Sequence, residues 1–167
     1  MSDLDNALLL DDDDIDAQAN KYLLFNIGSE IFGIAIQNVT EIIELQTITV
    51  VPDMPDYVKG VINLRGKVIP VMDLRLRFGL EPREYDDRTC IINVKINATL
   101  IGFIVDTVAE VYDVPDGDIE QPPEFQKETG HKKYISGLGK VGDEVKILLD
   151  VDKILYDEEL LQIREKV

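Results

Sequence analysis

The stretch Gly60-Val-Ile-Asn-Leu-Arg-Gly-Lys-Val-Ile-Pro-Val-Met-Asp-Leu-Arg-Leu-Arg-Phe78 decides how the chain is read. Val61 to Leu64 and Val68 to Met72 are aliphatic, β-branched runs of strand length, and Arg65-Gly66 between them has the permissiveness of a tight turn. A β-hairpin with Arg65 at its exposed tip is expected. Pro70 has no N–H to give a ladder, so its strand should lie at an edge or where a barrel changes strand partners. Asp73 suits the cap of a short helix, Leu74 to Phe78, closed by Gly79 in a left-handed conformation. Glu81 to Arg88 reads as a solvated linker.

Working outward, Tyr22 to Ile27 and Ile31 to Ile36 form a second hairpin around Gly28-Ser29-Glu30, with Gly33 inside its returning strand. Gln37 to Glu44 is expected as a helical turn running into a strand, and Thr47 to Pro55 as an irregular loop. A shift of 69 residues lays Tyr22–Glu44 on Ile91–Asp113 without a gap, pairing Gly33 with Gly102, Val39 with Val108 and Glu41 with Glu110. A shift of 77 lays Gly60–Asp73 on Gly137–Asp150. The chain therefore holds two related halves, the second with a loop-like insertion from about Val114 to Tyr134. Short strands with little helical periodicity suit small closed barrels, which leave few free edges, so two packed β-barrels are expected. Ile154, Leu155, Glu158, Leu161 and Gln162 lie at helical spacing, and a C-terminal helix over Val151 to Ile163 follows, capped by Asp150 or Asp152.

Composition limits the function. The chain has 167 residues, 45% of them hydrophobic, enough to bury a core without a metal or disulfide staple. The single cysteine, Cys90, cannot form an intramolecular disulfide and reads as a core residue; the compartment expected is the cytoplasm. No apolar run approaches the roughly 20 residues needed to cross a bilayer, and the acidic N-terminus is unlike a secretory signal. A net charge of −16 would repel phosphate backbones, which argues against nucleic acid as a partner. Residues 1–20 hold seven aspartates and no Lys or Arg, and read as a disordered tail. The run Asp11 to Asp14 lacks the glycine and spaced glutamate of a calcium loop.

No catalytic constellation is visible. The one histidine, His131, lies in the polar insertion, which excludes histidine triads and multi-histidine metal sites. Gly137-Leu-Gly139 with Gly142 has the wrong spacing for a phosphate loop. Asp106, Glu110 and Asp113, mirrored by Glu41 and Glu44, could do acid–base work but read better as a solvated face. Neither a catalytic, a metal nor a cofactor site is assigned. The halves differ at their tips, Asn63-Leu64-Arg65-Gly66 against Lys140-Val141-Gly142-Asp143. Arg65 is therefore either incidental or a recognition group, since arginine is enriched in interface hot spots.

The stretch from Gly60 to Arg75, with Phe32-Gly33-Ile34 and Val39-Thr40-Glu41-Ile42, closely resembles the signature of the CheW-like family, the bacterial chemotaxis coupling proteins. The resemblance runs over about Lys21 to Leu155; the acidic tail is a departure from it. It implies a mainly β fold of two intertwined SH3-like five-stranded barrels, the first roughly 21–80 and the second roughly 89–150, with strand exchange possible and a C-terminal helix and tail from 151 to 167. It implies a non-catalytic adaptor linking chemoreceptor cytoplasmic tips to the histidine kinase CheA, at the inner face of the membrane within receptor arrays. Val39, Glu41, Gly60 and Arg65 match positions implicated in receptor or kinase coupling, and Asn63 and Gly66 join them as parts of the unshared tip. A receptor helix hairpin would pack between the barrels, and the second barrel would meet the kinase's own CheW-like domain. The kinase itself and the receiver-fused CheV form share the fold, but the chain is too short for their extra modules. The alternatives are a stand-alone CheW-like module of another two-component pathway and a barrel that binds a small ligand.

Overall fold

The computed structural model describes residues 19–121, 134–155, 159 and 162–164. The tail expected over 1–20 lies almost wholly outside these residues, as do His131 and most of the insertion. Eleven strands form among them: β1 (Lys21–Ile27), β2 (Glu30–Ala35), β3 (Val39–Glu44), β4 (Val58–Leu64), β5 (Lys67–Asp73), β6 (Cys90–Ile96), β7 (Thr99–Val105), β8 (Thr107–Asp113), β9 (Ile119–Glu120), β10 (Ile135–Val141) and β11 (Glu144–Leu149). A short helix, α1 (Leu74–Arg77), follows β5. The protein is mainly β.

The strands form two sheets, ordered β3-β6-β7-β5-β4 and β8-β1-β2-β11-β10-β9. Each sheet takes strands from both of the segments 21–80 and 89–150. Each half gives its first hairpin to the other half's second hairpin, through the parallel pairings of β5 with β7 and of β11 with β2. The two repeat shifts carry β1, β2, β3, β4 and β5 onto β6, β7, β8, β10 and β11, so one sheet order maps onto the other. The second sheet is six-stranded, not five, because Ile119–Glu120 pairs with Gly139 and Leu138.

Register explains the special residues. Pro70 faces Val61 across the β4–β5 ladder, one residue before β5 takes up β7 at Val71↔Gly102, so it stands where the strand changes partners rather than at an edge. Gly102 leaves room for side chains of the strands on either side of it in its own sheet: a Cβ there would lie 2.7 Å from Ile91 Cγ2 and 2.8 Å from Val71 Cγ1, and Gly33 stands in the same way beside Leu24 and Leu148. The larger core lies between the sheets, around Phe25, Ile34, Leu74, Ile92, Val94 and Phe103. A smaller core, Ile62, Ile69, Val71, Ile91 and Ile104, fills the five-stranded barrel.

A polar network gathers around α1. The Asp73 carboxylate accepts from the Arg75 N–H at 2.9 Å and from Tyr85 Oη at 2.8 Å. Gly79 N–H and Leu80 N–H donate to Leu76 O and Arg75 O, which ends α1 in a Schellman arrangement with Gly79 at φ +78°. Tyr85 therefore ties the segment Glu81 to Arg88 to the fold, while its other residues are exposed, in keeping with the solvated linker expected. Burial and the hydrogen bond to Asp73 raise the Tyr85 pKa well above that of a free phenol. Cys90 is half-buried at the border of the larger core, not inside it. After Asp150, whose carboxylate accepts from Asp152 N–H, Val151–Lys153 is a 3-10 turn where a continuous helix is expected. Helix is seen at Glu159 and from 162 to 164. Glu159 is anchored to Tyr57 Oη at 2.5 Å and to Arg77 at 3.2 Å.

Candidate functional site

The β4–β5 turn is tight because Arg65 and Gly66 both take left-handed conformations, φ +51° and +86°. Two such residues in succession match the twist of the flanking strands, at a cost for a residue with a Cβ at the first position. Asn63 repays part of that cost, its Oδ1 accepting from Gly66 N–H at 3.0 Å. A side chain on Gly66 would meet nothing within 4 Å, so its glycine is required by conformation alone. The turn thus holds an arginine on a rigid tip, with its side chain 70% exposed.

Arg65 Nη2 reaches Glu41 Oε1 at 2.5 Å, joining the tip to β3. Glu41, Asn63, Arg65 and Gly66 are thereby brought together. Val39 lies at the start of β3 and packs partly against the larger core. Gly60 is buried within β4 at φ +145°, and a Cβ there would stand 2.1 Å from Thr49 O. Thr49 bridges Val61 through two backbone hydrogen bonds, of 2.8 and 2.9 Å, so Gly60 makes room for the segment that crosses β4 there.

Beside the arginine opens a groove of about 590 Å³, reached by Thr40, Glu41, Arg65, Lys67, Asn93 and Lys95. Sequence reasoning passed over Lys67, Asn93 and Lys95. The alternation of β6 could have found Asn93, because a period of two puts it on the barrel-interior face between Ile91 and Lys95. It is 1% exposed, and neither amide atom has a hydrogen-bond partner among the described residues. Such an orphan costs about 1 to 3 kcal/mol.

The other acidic candidates serve the fold. Asp106 accepts from Arg75 at 2.5 Å, Arg83 at 3.1 Å and Gly28 N–H at 2.8 Å, while Asp113 meets Lys21 at 3.3 Å. Partial burial pushes the Asp106 pKa up, but the Arg75 hydrogen bond, the Gly28 N–H and both guanidinium charges outweigh it and hold the carboxyl below its usual range. Glu110 is exposed on β8. Among the described residues, no group of three or more His, Cys, Asp or Glu could hold a metal ion, and no helix is long and apolar enough to cross a membrane.

The model of the CheW-like domain matches residues 21–159. The chemotaxis protein CheW of Klebsiella aerogenes is 36% identical over 140 residues, covering 84% of each chain. That of Helicobacter pylori is 36% identical over 135 residues, covering 81% of each. Among solved structures, the scaffolding protein TtCheW of Thermoanaerobacter tengcongensis superposes with a TM-score of 0.76 at 33% identity, covering 84% of this chain and 95% of that one. With its paired barrels and the motif from Gly60 to Arg75, the chain belongs to the CheW-like family.

Proposed function

We propose that the protein is a non-catalytic chemotaxis adaptor that couples chemoreceptor cytoplasmic tips to the histidine kinase CheA at the inner face of the membrane. Family membership supplies the chemotaxis role, and relatives of similar length carry the name of a chemotaxis or scaffolding protein. The observation that carries the coupling role is the Arg65–Glu41 pair. It sits on the tip that the second half does not share, on a turn rigid enough to present a guanidinium without paying for loop ordering. Glu41, Asn63, Arg65 and Gly66 form the contact surface of this reading; Gly60 and Val39 support it from within the barrel.

The test is reconstitution of the full chain with the cognate kinase and a receptor signalling fragment. The adaptor binds both and raises receptor-coupled kinase output. Binding to neither fragment would contradict the reading.

A further inference from the structure

Three cations, Arg65, Lys67 and Lys95, surround the groove beside a single carboxylate, in a chain whose net charge is −16. Arg65 is matched to Glu41; Lys67 and Lys95 have no ion-pair partner among the described residues. Strand alternation fixes where the lysines stand. Lys67 shares a face with Ile69 and Val71, and Lys95 with Asn93 and Ile91; Ile69, Val71 and Ile91 belong to the barrel's own core. Both lysines thus rim the barrel interior, and the Asn93 amide lies one layer below. A Cβ on its register partner Gly102 would lie 3.1 Å from Asn93 Oδ1, which places the oxygen beside β7, and the buried Nδ2 has no acceptor among the described residues.

The other barrel is an internal comparison. The repeat shifts put Leu24 where Asn93 stands, Asn26 where Lys95 stands and Glu144 where Lys67 stands. There the buried Lys146 is paired with the Glu144 carboxylate, so that rim carries its own anion. At the mouth of the five-stranded barrel the one carboxylate, Glu41, is already engaged by Arg65, and Lys67 and Lys95 are left without an anion among the described residues.

We infer that the mouth of the five-stranded barrel receives the carboxylate of a glutamate or aspartate from a protein partner, held by Lys67 and Lys95 with Asn93 Nδ2 donating from below. The partner being a protein rests on the adaptor reading; the carboxylate pocket rests on the residues themselves. Opposite charge at the rim speeds encounter, and a desolvated, hydrogen-bonded carboxylate slows release.

Two measurements on the full chain separate these claims. In the first, the isotope-labelled protein is titrated with blocked glutamate, N-acetyl-glutamate-N′-methylamide, and with the blocked glutamine analogue at matched ionic strength. The Asn93 side-chain NH2 and the Lys67 and Lys95 backbone amides should shift saturably with glutamate alone, and the response should vanish in Lys67→Ala/Lys95→Ala. Both lysines are exposed, so that variant should keep its melting temperature. An equal response to glutamine, no saturable response, or one that survives the double substitution overturns the pocket. In the second, Lys67→Glu/Lys95→Glu should weaken binding of the receptor signalling fragment or of the kinase fragment about tenfold or more. Unchanged binding of both fragments overturns the proposed contact while leaving the adaptor reading in place. If the unsubstituted protein binds neither receptor nor kinase fragment, the adaptor reading fails and the glutamate titration alone decides the pocket.

Discussion

The two hairpins β4–β5 and β10–β11 are copies of one device, and they part most clearly at the tip. In both, the N–H of the aspartate after the second strand donates to a tyrosine carbonyl, Asp73 to Tyr57 and Asp150 to Tyr134, each at 2.7 Å. Each aspartate then caps the following turn through the N–H two residues on. The first strand of each hairpin carries a glycine where another segment crosses, Gly60 against Thr49 and Gly137 against Ile119. At the tips the likeness ends. Arg65-Gly66 is doubly left-handed and bonded to Glu41, whereas at Gly142-Asp143 only the glycine is left-handed, and the ion pairs beside it are Lys140 with Glu120 and Lys146 with Glu144. What builds a barrel is kept in both halves. What could recognise a partner stands in one.

The largest effect expected is on the shared scaffold. Gly60→Ala sets a Cβ 2.1 Å from a backbone oxygen that cannot swing away, at a positive φ, and should cost roughly 3 kcal/mol in denaturant unfolding. Gly137→Ala meets the Ile119 side chain at 2.6 Å and should cost less, about 1 to 2 kcal/mol, because a side chain can shift. Equal losses would mean that the two crossings are alike after all.

Gly66→Val comes next, at about 2 kcal/mol, since a β-branched residue is strained at φ +86° although the surrounding space is open. Its loss should appear in thermal unfolding, and any loss of partner binding should follow from the fold. Asp106→Asn should cost between about 1 and 2 kcal/mol through the polar network around α1. Asp106 has a lower pKa folded than unfolded, so the stability it contributes is present above about pH 4 and lost as pH falls through the folded value. Unfolding followed from pH 6 down to pH 2 should show a shallower acid decline in Asp106→Asn; an unchanged slope contradicts that origin. Smallest is Asn63→Ala, about 0.5 to 1 kcal/mol, the worth of its hydrogen bond to Gly66.

The hairpins, the cap at Asp73, the partner change at Pro70 and the two-half plan were legible because each is written in local pattern: alternation, a turn dipeptide, a proline, a repeat shift. The exchange of hairpins between halves came only as a possibility implied by the family resemblance, not from the residues themselves. It depends on parallel pairings, β5 with β7 and β11 with β2, between segments about 30 and 115 positions apart in sequence, and nothing local encodes which hairpin a strand edge accepts. The C-terminal segment misled because Ile154, Leu155 and Leu161 keep helical spacing, whereas packing of Val151, Ile154 and Leu155 into the core bends the chain into a 3-10 turn first. At the site, Arg65 was visible as a charged residue in a turn, but its partner Glu41 is 24 positions away and read as a solvated face. Lys67 and Lys95 look like ordinary strand lysines until the barrel brings their rims together, and Asn93 shows its meaning only once its burial is known.

The central claim is that the unshared tip recognises a partner while the shared hairpin carries the fold, and Arg65→Ala tests it most directly. Its melting curve and its affinity for the receptor and kinase fragments should be measured on the same preparation. An exposed ion pair contributes about 0 to 1 kcal/mol to folding, whereas truncating an interface hot spot costs about 2 kcal/mol or more of binding. The account predicts a nearly unchanged melting temperature with binding to at least one fragment weakened about thirtyfold. Unchanged binding to both fragments, or a loss of stability as large as the loss of binding, would contradict it.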